Sequence, residues 1–437
     1  MSDKIHIFSF LINSPINHTV LSWADADDNR LEALGSLKAW QELAQTMERG
    51  LFDGMFFADT PGVFDRYRDS HEDAARYGVC WPSYDPVVLL SALAASTSHL
   101  GLATTMSTTA YKPWSIVRQL GTIDYLSGGR VGWNIVTGHL RNEHRALGVK
   151  QEAHDRRYDM ADEYMEICYR LWDSIKPGAI LGDKHSGVFA DTSKIERVTF
   201  EGEFFNCDTI GPVLPSPQGR PVLFQAGSSG RGQQFAIQHA DVVFAIQPNL
   251  AGQKKFVAGL NETAKSLGRK PPGVSLGIQT VIGGTQAEAR AKLDGIVERM
   301  PMDACLARLS GTLGVDFAGM DLDQPLVEIQ TDASQGLMKA FANIEGDRPL
   351  TLREVAIRWG VAVGKPQIVG SPEQVADEME HIWRETGCTG FNMTPHIMPS
   401  SVEDFVDQVV PLLQKKGIYR KEYAGTTLRE NLGLDRP

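Results

Sequence analysis

Short apolar runs alternate with longer segments of helical period along almost the whole chain. Residues 5–12, 53–58, 100–106, 131–136, 222–225, 242–246, 274–282 and 390–393 are rich in β-branched and aromatic side chains and read as strands. Between them, residues 36–49, 86–97, 156–172 and 402–415 carry helical patterns. This alternation predicts an α/β fold, a (β/α)8 TIM barrel. Two stretches break the rhythm. Residues 176–221 are rich in Gly and Pro, and their F-E-G-E-F-F-N reads as a small hairpin. Residues 301–366 contain Gly311, Gly314 and Gly319. The predicted organisation is one barrel domain over 1–437 with these two insertions, each a lid or substrate wall, an oligomer contact or a passive excursion.

Composition narrows the function classes. A 437-residue chain with 42% hydrophobic residues can bury a large core. Its net charge of −11 argues against nucleic acid or an anionic membrane as partner. No run of 18 apolar residues occurs, and the start M-S-D-K-I-H-I-F has no signal-peptide pattern. The five cysteines are far apart and form no C-x-x-C, which favours reduced thiols and a cytoplasmic location.

A barrel places its chemistry at the C-terminal mouth of its strands, so the polar residues there are the candidates. The run S-G-G-R-V-G-W-N-I-V-T-G (127–138) delivers Asn134 and Thr137 near its end. An Asn in so apolar a run is costly unless partnered, by a ligand or by neighbouring backbone. Asp59 ends the second strand, as a ligand contact or a cap for the following loop. Thr105 lies among the threonines ending the third. After the fifth strand, Q-A-G-S-S-G-R-G puts Ser228 and Ser229 at a helix N-terminus, where N–H groups and the dipole favour a phosphate and where Ser is also an ordinary cap. H-D-R-R-Y-D starts a helix with His154 and Tyr158 four apart beside Arg156 and Arg157, a phosphate grip or a solvated helix start. His139, Glu143 and His144 match neither zinc signature, so no metal is expected. No dinucleotide fingerprint, P-loop or serine-hydrolase elbow occurs.

In order, F-F-A-D (56–59), L-G-L-A-T-T-M-S-T-T (100–109), S-G-G-R-V-G-W-N-I-V-T (127–137), H-D-R-R-Y-D (154–159), Q-A-G-S-S-x-R-G (225–232) and V-D-Q-V-V-P-L-L-Q-K-K-G (406–417) resemble the two-component FMN-dependent monooxygenases. These form the nitrilotriacetate, dibenzothiophene-sulfone and long-chain-alkane monooxygenase branch of the bacterial-luciferase-like superfamily. The resemblance implies a flavin ring and ribityl site at Asp59, Thr105, Asn134 and Thr137, and a phosphate site at His154, Tyr158, Ser228 and Ser229. It implies reduced FMN (FMNH2) from a separate NAD(P)H:flavin reductase, O2 as cosubstrate, and a flavin (hydro)peroxide that oxygenates a small organic substrate. Asn134 and His139 are then the catalytic candidates, with His139 a proton donor or only a pocket wall. Asn13, His18, Trp23, Phe57, His139, Phe317 and His396 are the expected substrate surroundings, suited to a neutral or singly charged compound and not to a polycarboxylate. A homo-oligomer, dimer or tetramer, is expected. The rival readings are a deazaflavin-dependent oxidoreductase on the same barrel and a barrel that binds flavin without turnover.

Overall fold

The computed structural model describes residues 4–344 and 348–437. Eight parallel strands close into a ring: β1 (His6–Ile12), β2 (Gly54–Ala58), β3 (Gly101–Ser107), β4 (Val131–Val136), β5 (Val222–Gln225), β6 (Val242–Ala245), β7 (Gly273–Ile282) and β8 (Gly390–Met393). Pairing of β6 with β7 and of β8 with β1 completes the closure. All eight lie where the hydrophobic pattern places them, to within about two residues, an ordinary boundary uncertainty.

Helices cover the outside: α1 (Leu37–Arg49), α2 (Pro86–Ala94), α3 (Pro113–Leu126), α4 (His154–Asp173), α5 (Gly230–His239), α6 (Leu250–Ser266) and α7 (Gln286–Glu298). The sequence dictates them locally. In α1, Ser36 caps the start by accepting from the Ala39 N–H at 3.2 Å, and Trp40, Leu43, Ala44 and Met47 form the buried stripe. The outer layer of the barrel packs Leu102, Trp133, Leu223 and Leu276 against such stripes. The inner layer is largely aromatic: Phe8 and Phe56 meet Phe224 edge-to-face at 5.2 and 5.4 Å, with Phe244 beside them. Leu428 and Leu432, near the C-terminus, close the lower end of this inner cluster.

Three features depart from the expected pattern. The second half of β7 leaves the ring and pairs with an additional strand, Gln367–Gly370. The 176–221 insertion forms two hairpins, the expected one (Val198–Glu201 with Asn206–Thr209) and another (Ile180–Asp183 with Val188–Ala190). The helix expected over 402–415 is interrupted by a π-helical turn, Phe405–Val409, just before Pro411, which has no N–H for the regular ladder. The second insertion carries three helices, α8 (Met302–Leu313), α9 (Gln335–Ala342) and α10 (Leu352–Ala362), with its own core around Leu309, Phe341 and Trp359. α11 (Pro372–Thr386) then leads to β8. Among the described residues no helix is long and apolar enough to cross a membrane.

Candidate functional site

The strand mouths open into one cavity of about 1320 Å³, counted out to its solvent opening. Asp59, Thr105, Asn134, Thr137, His139, His154, Tyr158, Ser228 and Ser229 all line it.

Period-two alternation brings the strand residues there. On β3, Leu102 and Met106 face the helices, so Thr105 faces the axis. On β4, Val131, Trp133 and Ile135 face outward and Asn134 inward. Thr105 and Asn134 are register partners. The Thr105 hydroxyl donates to the Phe57 carbonyl at 2.8 Å, and Asn134 Nδ2 donates to Thr105 Oγ1 at 2.9 Å. Because the hydroxyl proton is spent on the carbonyl, Thr105 can only accept from Asn134. The amide is thereby oriented, and Asn134 Oδ1 is left as a buried acceptor without a partner. The arginine of the same motif has a different task. Arg130 donates to Ser127, Ala94, Thr97 and Leu100 at the lower end of the barrel and is structural.

A second polar corner lies where α4 and α5 begin. Ser229 caps α5, accepting from the Gly232 N–H at 3.0 Å, and its hydroxyl lies 3.3 Å from His154 Nε2. His154 Nδ1 is held by Asp155 at 2.7 Å. Tyr158 stands on the same face of α4, its ring 5.3 Å from that of His154, and its hydroxyl accepts from Gln225 Nε2 at 3.4 Å. Of the two expected arginines only Arg157 enters. It is buried, donates to the Glu152 and Asp332 carbonyls at 2.9 and 2.7 Å, and lines the cavity. Arg156 points away, to Glu203 and the Phe204 ring in the hairpin. Gly336 of α9 presses on Ser228, so closely that a Cβ would lie 2.1 Å from the Ser228 hydroxyl.

Burial shapes the charges. Asp59 is pushed up to about 7, first by burial and then by the neighbouring Asp85. His139 is held down to about 4 by burial, with Arg157 and His144 adding to it. Burial therefore favours its neutral imidazole at pH 7.

Of the expected substrate surroundings, His18 and His139 line the cavity. Phe57 faces outward onto Trp40 at 5.5 Å, because it alternates with the inward Phe56. Phe317 belongs to the core of the second insertion. His396 is bonded to Ser401, the Trp23 indole to the Tyr77 carbonyl, and Asn13 lies outside the cavity lining. No residue of the 176–221 insertion lines the cavity; its hairpin packs along α4, where Glu163 accepts from the Phe204 N–H at 2.9 Å. The second insertion does reach it, with Arg308, Thr312 and residues 333–337. Nothing local in L-A-R-L-S marks Arg308 as a site residue. Among the described residues no cluster of three His, Cys, Asp or Glu side chains is placed to hold a metal ion.

Residues 17–390 match the family model described as luciferase-like monooxygenase. The chain is 36% identical over 438 residues to a long-chain alkane monooxygenase of Geobacillus thermodenitrificans (strain NG80-2), covering 99% of this chain and 94% of that protein. It is 36% identical over 410 residues to nitrilotriacetate monooxygenase component A of Aminobacter aminovorans, covering 92% and 90%. A crystal structure of riboflavin lyase with modified FMN and riboflavin superposes with a TM-score of 0.92 at 33% identity, covering 99% of this chain and 97% of that one.

Proposed function

This chain belongs to the luciferase-like monooxygenase family, and on that premise we propose that the mouth cavity holds FMN and oxygenates a small organic substrate. The enzyme is a flavin-dependent monooxygenase that uses reduced FMN and O2. Bound there, the flavin supplies the electrons and the oxygen chemistry that amino-acid side chains lack.

The observation that carries the reading is Asn134 Oδ1, an oriented, buried acceptor with no protein partner. Such an atom calls for a ligand N–H, which a reduced flavin ring offers. The other corner fits a phosphate. The first-turn N–H groups of α5 have no intrahelical partners, and Ser229, His154, Tyr158 and Arg157 converge beside them. Asp59, with its pKa near 7, holds a proton on its carboxyl for much of the neutral range and can donate a hydrogen bond to the ring. His139 contributes a neutral N–H or lone pair and no charge. Phe10, Phe64, Phe244 and Leu337 supply the apolar walls that exclude water.

A relative named as component A is one part of a system with more than one part. With no dinucleotide fingerprint in the chain, a separate NAD(P)H:flavin reductase is the source of reduced FMN. Five free cysteines suit a reducing, cytoplasmic compartment. The exposed Leu181, Val188 and Phe189 of the first hairpin suit a contact in a dimer or tetramer, which light scattering on the purified protein checks.

The test is flavin titration and oxygen uptake. FMN is expected to bind more tightly than riboflavin, and Ser229→Ala to narrow the gap by about 1–3 kcal/mol, the worth of a hydrogen bond to a charged group. The chain alone is expected not to sustain NADH oxidation, and oxygen uptake is expected when any enzyme supplies free reduced FMN. Equal affinity for FMN and riboflavin would refute the phosphate corner.

A further inference from the structure

Facing the cavity from the side away from Ser229 is a corner with positive charge and no carboxylate. It gathers around β1, which lies opposite β5 in the ring. Arg308 of α8 is buried, lines the cavity and lies over the Phe64 ring at 5.1 Å. A guanidinium has five donors. Here one Nη meets His18 Nδ1 at 2.9 Å, the other meets the Cys80 sulfur, and Nε has no partner. The His18 ring is stacked on Phe10 at 4.3 Å. Since its Nδ1 accepts from Arg308, its Nε2 carries the proton; that donor is buried and makes no well-formed hydrogen bond, with the Leu11 backbone as the ring's polar neighbour. Lys365 completes the group. It is buried, its Nζ has no hydrogen-bond partner, and it sits 4.1 Å from the centre of the Phe10 ring, a wall of the cavity.

Three buried donors at this corner lack a well-formed hydrogen bond: two belong to the cavity-lining Arg308 and His18, and the third to Lys365, which lies against the Phe10 ring that lines the cavity. Buried cations are ordinarily paired, and leaving one unpaired is costly. Arg30 is buried too and is likewise lowered to about 10 by burial, but it has the Asp28 carboxylate nearby and the Ile12 and Ser14 carbonyls as acceptors. Burial pushes Arg308 down to about 10 with no carboxylate to offset it, and Lys365 is depressed by burial and by Arg308. A fold that tolerates this arrangement has a counter-charge that arrives from outside. The flavin phosphate is an unsuitable candidate, because its corner lies across the ring at β4 and β5, where Arg157 already stands.

We infer that the substrate is an organic acid whose carboxylate or sulfonate group docks on Arg308, with the His18 Nε2–H beside it and Lys365 beneath the Phe10 ring. This rests on the cavity being the flavin and substrate site. It revises the neutral alternative for the substrate and keeps the singly charged one. Arg308 and His18 are specificity-determining residues in this assignment. Phe64 and Thr312, next to Arg308 on the cavity wall, then flank the acid head.

The test uses the full chain loaded with FMN and two matched probe pairs, (methylthio)acetate with (methylthio)acetamide and phenylacetate with phenylacetamide. Binding is read from the thermal midpoint across a titration of each probe. In at least one pair the acid is expected to bind about tenfold tighter than its amide, as a hydrogen bond to a charged group provides. Arg308→Met is expected to erase that preference while FMN titrates as in the parent. Without probe, Arg308→Met is expected to raise the midpoint, since it removes a buried charge with no carboxylate partner. Acids no better than their amides in both pairs overturn the inference. So does a midpoint that falls in Arg308→Met, which would make this corner a structural brace. Loss of FMN affinity in Arg308→Met with acid preference retained assigns the corner to the flavin and also overturns it. FMN is titrated separately in the parent, so failure of the flavin site itself appears there and not in the probe comparison.

Discussion

Asp59 ends β2 in a setting that disfavours its charge, and its pKa rises to about 7 through burial and then Asp85. In the unfolded chain the same carboxyl titrates near 4. Between those values the folded state binds more protons than the unfolded state. The contribution of Asp59 to stability is therefore complete below about pH 4 and lost as pH rises through about 7. Asp59→Asn is expected to melt higher than the parent at about pH 8, by up to a few kcal/mol, with the gap closing by about pH 5. Melting curves of both flavin-free proteins at the two pH values check this. A gap of constant size would mean that Asp59 is ionised throughout. Asn134 is tested differently, because its amide is already committed to Thr105 on one side. Asn134→Ala leaves the Thr105 oxygen without its donor and removes the free acceptor. About 1 kcal/mol of stability is expected to go, with FMN affinity and turnover falling much further.

Helices α5 and α9 meet at the phosphate corner, and their contact depends on one position without a side chain. A Cβ on Gly336 would lie 2.1 Å from the Ser228 hydroxyl and 2.7 Å from the Ser228 carbonyl carbon. The same segment is tied down by Arg157, which donates to the Asp332 carbonyl at 2.7 Å. Gly336→Val is expected to lift α9 from Ser228 and loosen that tie. FMN affinity is expected to fall on the order of tenfold, the worth of about one hydrogen bond to a charged group. Limited proteolysis is expected to cut within residues 328–336 in the variant and to be suppressed by FMN in the parent. Unchanged affinity and cutting would show that this insertion is passive at the phosphate corner, and gating would then rest with its other cavity contact, α8.

Function and stability sit at opposite ends of the barrel. At the mouth the polar groups are incompletely paired, as a ligand site requires. At the lower end the charged side chains are bonded to one another and to backbone, Arg130 on four residues and Arg420 from the C-terminal segment on Asp53, itself bonded to His6 at 2.8 Å, although Arg420 Nη1 has no partner. Leu428 and Leu432 fill the ring from below. Leu428→Ala is expected to cost about 2–5 kcal/mol, the range for emptying a fully buried leucine site. FMN affinity at a temperature well below the melting midpoint is expected to match the parent. A flavin defect as large as the stability defect would show that the two ends are coupled.

What the chain's own pattern determined is local. Strand positions follow from short β-branched and aromatic runs, and helix starts such as Ser36 and Ser229 from their caps. That Thr105 and Asn134 each sit near the end of a strand is legible in the sequence, but their pairing is set by the register of the closed sheet. The facing of Phe56 and Phe57 is not legible either. Both sides of a parallel barrel strand are buried, so both read as apolar, and only the closed ring selects Phe56 for the interior and Phe57 for the helix side. The substrate corner is less legible still. Arg308, His18 and Lys365 come from a helix of one insertion, the loop after β1 and the segment before the added strand. No periodicity relates residues so far apart. That their donors lack well-formed hydrogen bonds is a property of the packed cavity and appears only when the elements have closed around it.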